Sequence, residues 1–338
     1  TTPYAGRVRQ CLRSLRTRLF LLFPTGAAVI LFGAAAFLYV VLDRALLDET
    51  NEGLRARADD LAAVMRKDGG QIPGQDVIPA KLGVRSYPVV ERYNLIFIWT
   101  GDPEKADPKL VLDYPPLADP KWRGLPGYMH YKANWLLIVD NLSDFAHLAF
   151  VHTNTLGGSE EYAYKTKPVA IEKLDDGFRV ERWHMGAEPP PYHKKVIANK
   201  TDKIDRRNIG RMYIPGIFTL DTTFAPAGQG VEKGVQVPGT RSYRNAQFMT
   251  PETRSSTHFF WNYLHDFDID NPNIALSLRH SLEEGFNEDK DIIEAQQRVF
   301  DADPNYQLPA IGADAPLTYF RWLFARKMEA ERNAVRAA

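Results

Sequence analysis

The stretch Val139-Asp140-Asn141-Leu142-Ser143-Asp144-Phe145-Ala146-His147-Leu148-Ala149-Phe150-Val151-His152 sets two imidazoles five residues apart, with a carboxylate three residues before the first. Far downstream, Phe286-Asn287-Glu288-Asp289-Lys290-Asp291 offers carboxylates from a distant segment. Two imidazoles and one carboxylate make a facial ligand set that suits non-heme Fe(II), because it leaves coordination positions open for dioxygen and a substrate. The spacing attaches a condition. On a continuous helix, positions five apart lie roughly 140° from one another. His147 and His152 therefore reach one metal only if the helix widens into a π-bulge or ends there. The carboxylate, Asp289, must then come from the later helix packed alongside. Asp144 shares a helix face with His147. It is placed to accept that ring's second N–H, as partners of metal-bound histidines do. The residues alone leave a second reading open, in which the histidines are unrelated core or surface residues and Glu288-Asp289 is a solvated helix face. His130, His184, His193, His258, His265 and His280 show no ligand-like spacing and read as satisfied polar residues.

Bulk properties narrow the classes. The 338 residues suffice for one large domain or two smaller ones. Lysine plus arginine and aspartate plus glutamate both number 42, so the formal net charge is zero. That balance lacks the basic footprint of a nucleic-acid binder. The one cysteine, Cys11, excludes an intrachain disulfide framework and cannot by itself hold an iron–sulfur cluster.

Outward toward the N-terminus, Leu19–Leu42 carries no charged residue. A bilayer span needs about 20 apolar residues, so a transmembrane helix is expected. Arg7, Arg9, Arg13, Arg16 and Arg18 precede it, which predicts a cytoplasmic N-terminus and a membrane-anchored chain. A buried soluble helix is the alternative; a signal peptide fits less well, because the run exceeds the usual apolar length. Leu47, Leu54 and Leu61 then recur every seven residues, as in a juxtamembrane amphipathic helix, and Gly69–Gly74 reads as a linker. Next come strand signals. Lys81–Glu91 and Asn94–Thr100 form a predicted hairpin joined at Arg92-Tyr93. Gly101–Pro120 is a Pro- and Asp-rich loop. Further strands are predicted at Val169–Lys173, Phe178–His184, Arg211–Phe218, Ser242–Met249 and Ser256–Tyr263. Helices are predicted at Asn141–Val151, Asn273–Phe300 and Pro316 to about Arg336. Strands in runs with helices at the ends indicate an α+β fold with an antiparallel sheet.

Several stretches resemble one family. Ser86-Tyr87-Pro88-Val89-Val90-Glu91-Arg92-Tyr93, followed by Ile96-Phe97-Ile98-Trp99-Thr100-Gly101-Asp102-Pro103, resembles the closing hairpin of a Rieske domain. Asn134–His152 resembles an iron-binding helix. Thr250-Pro251-Glu252-Thr253 with His258-Phe259-Phe260-Trp261 resembles a later strand, and Glu288-Asp289-Lys290 through Glu294-Ala295-Gln296-Gln297 resembles the helix carrying a third ligand. Together these make Pro79–Arg332, about three quarters of the chain, similar to the catalytic part of Rieske non-heme iron oxygenase α-subunits of the vanillate and dicamba O-demethylase branch. The resemblance implies a helix-grip (START-like) sheet. It implies His147, His152 and Asp289 as ligands of mononuclear Fe(II), Asp144 as a carboxylate bridging to the cluster of a neighbouring subunit in a homotrimer, and Asn141 beside the iron. It places Gln247 and His280 near the substrate pocket. It also implies an aromatic substrate, dioxygen, and a reductase or ferredoxin as electron donor, all in the cytoplasm. The family's 2Fe–2S cluster needs two Cys and two His upstream of the hairpin; here that region has Cys11 and no histidine before His130. Leu15–Met65 resembles the membrane span of sensor histidine kinases.

The expected division is therefore 1–75 (span, helix and linker), 76–118 (remnant Rieske hairpin) and 119–338 (iron domain). The expected activity is oxygenation of an aromatic compound, by ring hydroxylation or O-demethylation of a methoxy aromatic acid, with the electron path impaired. A membrane-tethered ligand-binding or sensor module and a nonfunctional chimera are the alternatives.

Overall fold

A computed structural model describes residues 86–157, 171–197, 202–306, 309 and 311–337. The apolar run 19–42, the amphipathic segment 47–65 and the linker lie outside the described residues. Among those described, no helix is long and apolar enough to cross a membrane. Val89–Ala338 forms one compact unit, which includes the hairpin.

Two strands open the unit, β1 (Val89–Arg92) and β2 (Leu95–Ile98). Their turn is Tyr93-Asn94, one residue later than predicted, and both residues take positive φ, 58° and 59°. That is the mirror-image turn whose twist matches a hairpin, and asparagine tolerates it well. Alternate residues Tyr93, Leu95 and Phe97 pack on Ala246, Phe248 and Phe260 of the main sheet. The opposite face, Val89, Ile96 and Ile98, is exposed. Tyr93 Oη donates to Asp113 Oδ1 (2.8 Å) and accepts from the Tyr114 N–H (2.9 Å), while Tyr114 Oη donates to Asp221 Oδ1 (2.8 Å). This chain of bonds ties the hairpin, through the 101–120 loop, to the sheet.

The main sheet has seven antiparallel strands: β3 (Arg123–Tyr131), β4 (Ile171–Leu174), β5 (Gly177–Ala187), β6 (Ile204–Tyr213), β7 (Ile217–Pro226), β8 (Arg241–Thr253) and β9 (Ser256–His265), in the order β3-β9-β8-β7-β6-β5-β4. The predicted strand Arg211–Phe218 is corrected: it straddles the β6–β7 turn at Ile214-Pro215-Gly216 and belongs to two strands. β3 escaped the sequence reading because Gly124, Pro126 and Gly127 look like turn residues. They suit an edge strand, where Pro loses no ladder bond, and the glycines are needed for contact. A Cβ at Gly127 would lie 2.1 Å from the Trp261 ring.

Helices cover one face. They are α1 (Trp135–Ser143), α2 (Leu148–Val151), α3 (Pro191–Val196), α4 (Pro272–Ala302) and α5 (Ala315–Ala337). In α4 the buried positions Ile274, Leu278, Leu282, Phe286, Asp289, Ile293 and Gln297 recur every three or four residues, a single stripe facing the core. Asp289 is the one carboxylate in this row, and Gln297 its one amide. The core between α4 and the sheet is aromatic: Tyr131, Phe259 and Trp261 meet Phe286.

Candidate metal centre and pocket

The chain enters α1 under tight control. Asn134 caps the helix by accepting from the Leu136 N–H (2.9 Å), and its own N–H donates to Gln297 of α4 (2.8 Å). Asp140 pairs with Arg321 of α5 (2.9 Å, Nε to Oδ1). α1 then stops. Asp144 takes an extended conformation (φ −96°, ψ 105°) and its Oδ1 accepts from the Ala146 N–H (2.7 Å), starting a new turn. A side-chain oxygen capturing a backbone N–H two residues on is how Asp redirects a chain. His147 stands just before the single-turn helix α2 and His152 just after it. Of the two routes open to this spacing, the helix ends rather than widens.

The break brings the two imidazoles together, with ring centroids 5.2 Å apart. Asp289 meets them from α4. Its Oδ1 lies 3.0 Å from His152 Nε2 and 3.5 Å from His147 Nε2. One ligand atom from each of the three residues lies within 4.8 Å of the others. Asn141 Nδ2 donates to the same Oδ1 (2.9 Å). His152 and Asp289 are buried, at 0 % and 4 % exposure, and His152 Nε2 has no hydrogen bond despite the nearby carboxylate. A buried imidazole nitrogen left without a hydrogen bond beside a carboxylate and a second imidazole fits a divalent metal ion, which would satisfy all three. Burial favours neutral Asp289, but His147 and His152 outweigh it and hold its carboxyl down at about 2. Burial likewise lowers His152, yet Asp289 and Glu288 together raise it above its ordinary value.

The supports of the two histidines differ. His147 Nδ1 bonds to the backbone carbonyl of Asp144; the Asp144 carboxylate is 3.9 Å away and already engaged with the backbone. The expected side-chain bond from Asp144 to His147 is thus replaced by its carbonyl. His152 Nδ1 bonds to Glu288 Oε2 (2.8 Å), which also accepts from Thr155 Oγ1 (2.6 Å). Glu288 is the residue the sequence reading missed, although it precedes Asp289 in the quoted stretch. Gly157 closes the turn after His152: its N–H donates to the His152 carbonyl (2.9 Å), and a Cβ there would sit 1.9 Å from the Leu148 carbonyl oxygen.

The three residues form one wall of a pocket, partly open to solvent, which runs along the sheet between β6–β9 and α4. Its lining is mostly apolar, with Leu142, Phe145, Leu156, Phe218, Leu282 and Phe286. Three buried polar side chains, Arg206, Asn245 and Gln247, complete it, and the amide oxygens of Asn245 and Gln247 have no hydrogen-bond partner. Gln247 thus lines this pocket. His280 does not: it is 71 % exposed on the outer face of α4, paired with Glu284 (3.2 Å), so its assignment to the pocket is corrected.

Residues 131–330, more than half of the chain, match the model of the vanillate O-demethylase oxygenase C-terminal domain. The chain belongs to this family, the catalytic domain of Rieske oxygenase α-subunits. It is 39 % identical over 266 residues to the toluene-4-sulfonate monooxygenase iron–sulfur subunit TsaM1 of Comamonas testosteroni, covering 78 % of this chain and 76 % of that protein. The putative subunit TsaM2 of the same organism is 37 % identical over 341 residues, 97 % of this chain and 96 % of its own length. That alignment runs through the Gly69–Gly74 segment where the sequence changes character. Among solved structures, dicamba monooxygenase bound to dicamba superposes with a TM-score of 0.64 at 27 % identity, covering 80 % of this chain and 76 % of that one. These relatives are oxygenase components, which sets aside a sensor module. The likeness of Leu15–Met65 to kinase membrane spans receives no support from the comparisons. The 338 residues contain one cysteine, Cys11, where a Rieske cluster takes two.

Proposed function

We propose that this protein is a non-heme Fe(II) oxygenase acting on an aromatic acid, with His147, His152 and Asp289 as iron ligands. The observation that carries the reading is the convergence of these three side chains on the wall of a mostly apolar pocket, in a chain of this family. Bound Fe(II) would supply the binding and activation of dioxygen. The protein's own part is positional. Glu288 holds His152 by its Nδ1, the Asp144 carbonyl holds His147, and Asn141 steadies the Asp289 carboxylate. Second-shell contacts of this kind orient ligands and tune their basicity. Phe145, Phe218 and Phe286 exclude water and seat an aromatic ring. Asn245 and Gln247 offer amides that orient polar substituents, and the Arg206 cation on the same wall suits a carboxylate or sulfonate.

The overall reaction inserts one oxygen atom of dioxygen into a substrate C–H bond and reduces the other to water with two electrons and two protons. On a methoxy group this yields a hemiacetal that releases formaldehyde. The electrons come from another chain or an external reductant. A helix-grip pocket, homotrimeric assembly and Asp144 as the link to a neighbour's cluster belong to this proposal. The test supplies iron-loaded protein with a reductant, isotopically labelled dioxygen and a panel of toluene-4-sulfonate, vanillate and their unsubstituted analogues. Label in a hydroxylated product, or formaldehyde from vanillate, supports the reading. Iron-loaded protein that incorporates no label under any electron supply overturns it.

A further inference from the structure

On the face of the sheet turned away from the pocket, a second set of two imidazoles and a carboxylate comes together. His130 of β3 and His258 of β9 are direct partners across the antiparallel ladder. Residues two apart in a strand share a face. His130 and Tyr128 therefore point opposite to Met129 and Tyr131, which are in the core, and His258 shares its face with Phe260, which packs under the hairpin. The β8–β9 register shifts between Pro251 and Thr253, so Glu252 is left out of the ladder at a bulge beside His258. Bulges re-aim a side chain in this way. Glu252 Oε2 reaches His130 Nε2 (2.7 Å), and its Oε1 lies 3.7 Å from His258 Nε2. One ligand atom from each residue falls within 4.8 Å of the other two.

We propose that His130, Glu252 and His258 form a second metal site, for a borderline divalent ion of the Zn(II) class, on the surface opposite the pocket. Two details favour a metal over a hydrogen-bonded trio. His258 Nδ1 is 2.9 Å from Tyr128 Oη, and Tyr128 can accept its N–H, which leaves the lone pair on Nε2. At 3.7 Å, Nε2 is in turn too far from Glu252 for a hydrogen bond. A ligating histidine whose other nitrogen is held by a neighbour is the usual arrangement around zinc. Two nitrogens and one carboxylate oxygen satisfy Zn(II) with water completing the tetrahedron. The side chains are 38 %, 43 % and 35 % exposed, so the ion reaches the site from solvent.

The test measures metal stoichiometry on the full chain already loaded with iron, so that the pocket site is filled. Equilibrium dialysis against micromolar Zn(II), followed by elemental analysis, should find one zinc per chain beside the iron. His130→Ala and Glu252→Gln should lose that zinc at least tenfold in affinity while retaining iron, and Tyr128→Phe, which removes no ligand, should weaken it severalfold. Should a variant fail to fold, the wild-type count still decides. No zinc bound below millimolar concentration, or zinc unaffected in folded Glu252→Gln, overturns the proposal. Because iron content is read in the same samples, failure here is distinguishable from failure of the pocket site.

Discussion

Two clusters of the same composition stand on opposite faces of one sheet. His147, His152 and Asp289 are assembled by a helix break and a facing helix; His130, Glu252 and His258 are assembled by strand register and a bulge. Each offers two imidazoles and one carboxylate, from Asp289 in the first and Glu252 in the second, so what chiefly separates them is environment. The first cluster has two members buried at 0 % and 4 % exposure, further side chains holding its ligands, and an apolar pocket beside it. The second is open to solvent and has one supporting side chain, Tyr128. A metal in the first can exclude water and meet a substrate; a metal in the second sees bulk solvent. Ligand types alone do not make a catalytic centre, and the pocket and supporting groups make the difference.

This contrast sets the order of expected effects. His152→Ala removes a buried ligand and should reduce turnover at least 10³-fold in a single-turnover assay; that range is of order 4 kcal/mol in the barrier. Glu288→Gln keeps every ligand but weakens the hold on His152. Iron affinity should fall about 10- to 100-fold, read by competition with a chelator. Unchanged affinity would show that the Glu288 contact does not tune the site. Gly157→Ala should act indirectly, because its Cβ collides with backbone rather than with a movable side-chain end. We expect a loss of about 1–3 kcal/mol in stability together with weaker iron binding. A stable variant with full iron would mean that the turn after His152 relaxes freely.

The smallest effect concerns pH and lies away from both clusters. Burial and the adjacent Arg241 and Arg206 push His193 down to about 3, and burial with Arg206 and Arg182 does the same to His184. Both are neutral in the folded state, whereas the unfolded chain protonates them near 6.5. Their contribution to stability is therefore complete above pH 6.5 and declines as the pH falls toward 3. At pH 5 each costs about 2 kcal/mol relative to neutral pH. His193→Asn should flatten the acid limb of a denaturation series by about that amount, and an unchanged slope would show that His193 is already protonated.

How much of this was legible beforehand varies by residue. The spacing of His147 and His152 forced a choice between a widened and an ended helix, and Asp144 supplies the ending. The inward stripe of α4 was legible as a 3.6-residue period, and it also argues against His280. That residue stands two positions from Leu278, about 200° round the helix from the buried face. Placement by resemblance overrode a periodicity that pointed outward. Glu288 was hidden by its neighbour, since one carboxylate sufficed to complete the ligand set. His130 and His258 are far apart in sequence, and only the β3–β9 register makes them partners. β3 itself was masked by Gly124, Pro126 and Gly127, residues that serve close packing against Tyr263 and Trp261 rather than a turn.

The central claim is that His147, His152 and Asp289 hold one iron at the pocket. The most direct test titrates anaerobic wild-type protein and Asp289→Asn with Fe(II) and reads the paramagnetic signal formed on adding nitric oxide, with thermal melting to establish folding. We expect one equivalent of nitric-oxide-reactive iron in the wild type, perturbed on adding an aromatic acid, and at least a 100-fold loss of affinity in Asp289→Asn. Full iron binding by a folded Asp289→Asn, or no iron bound by the wild type, would contradict the account.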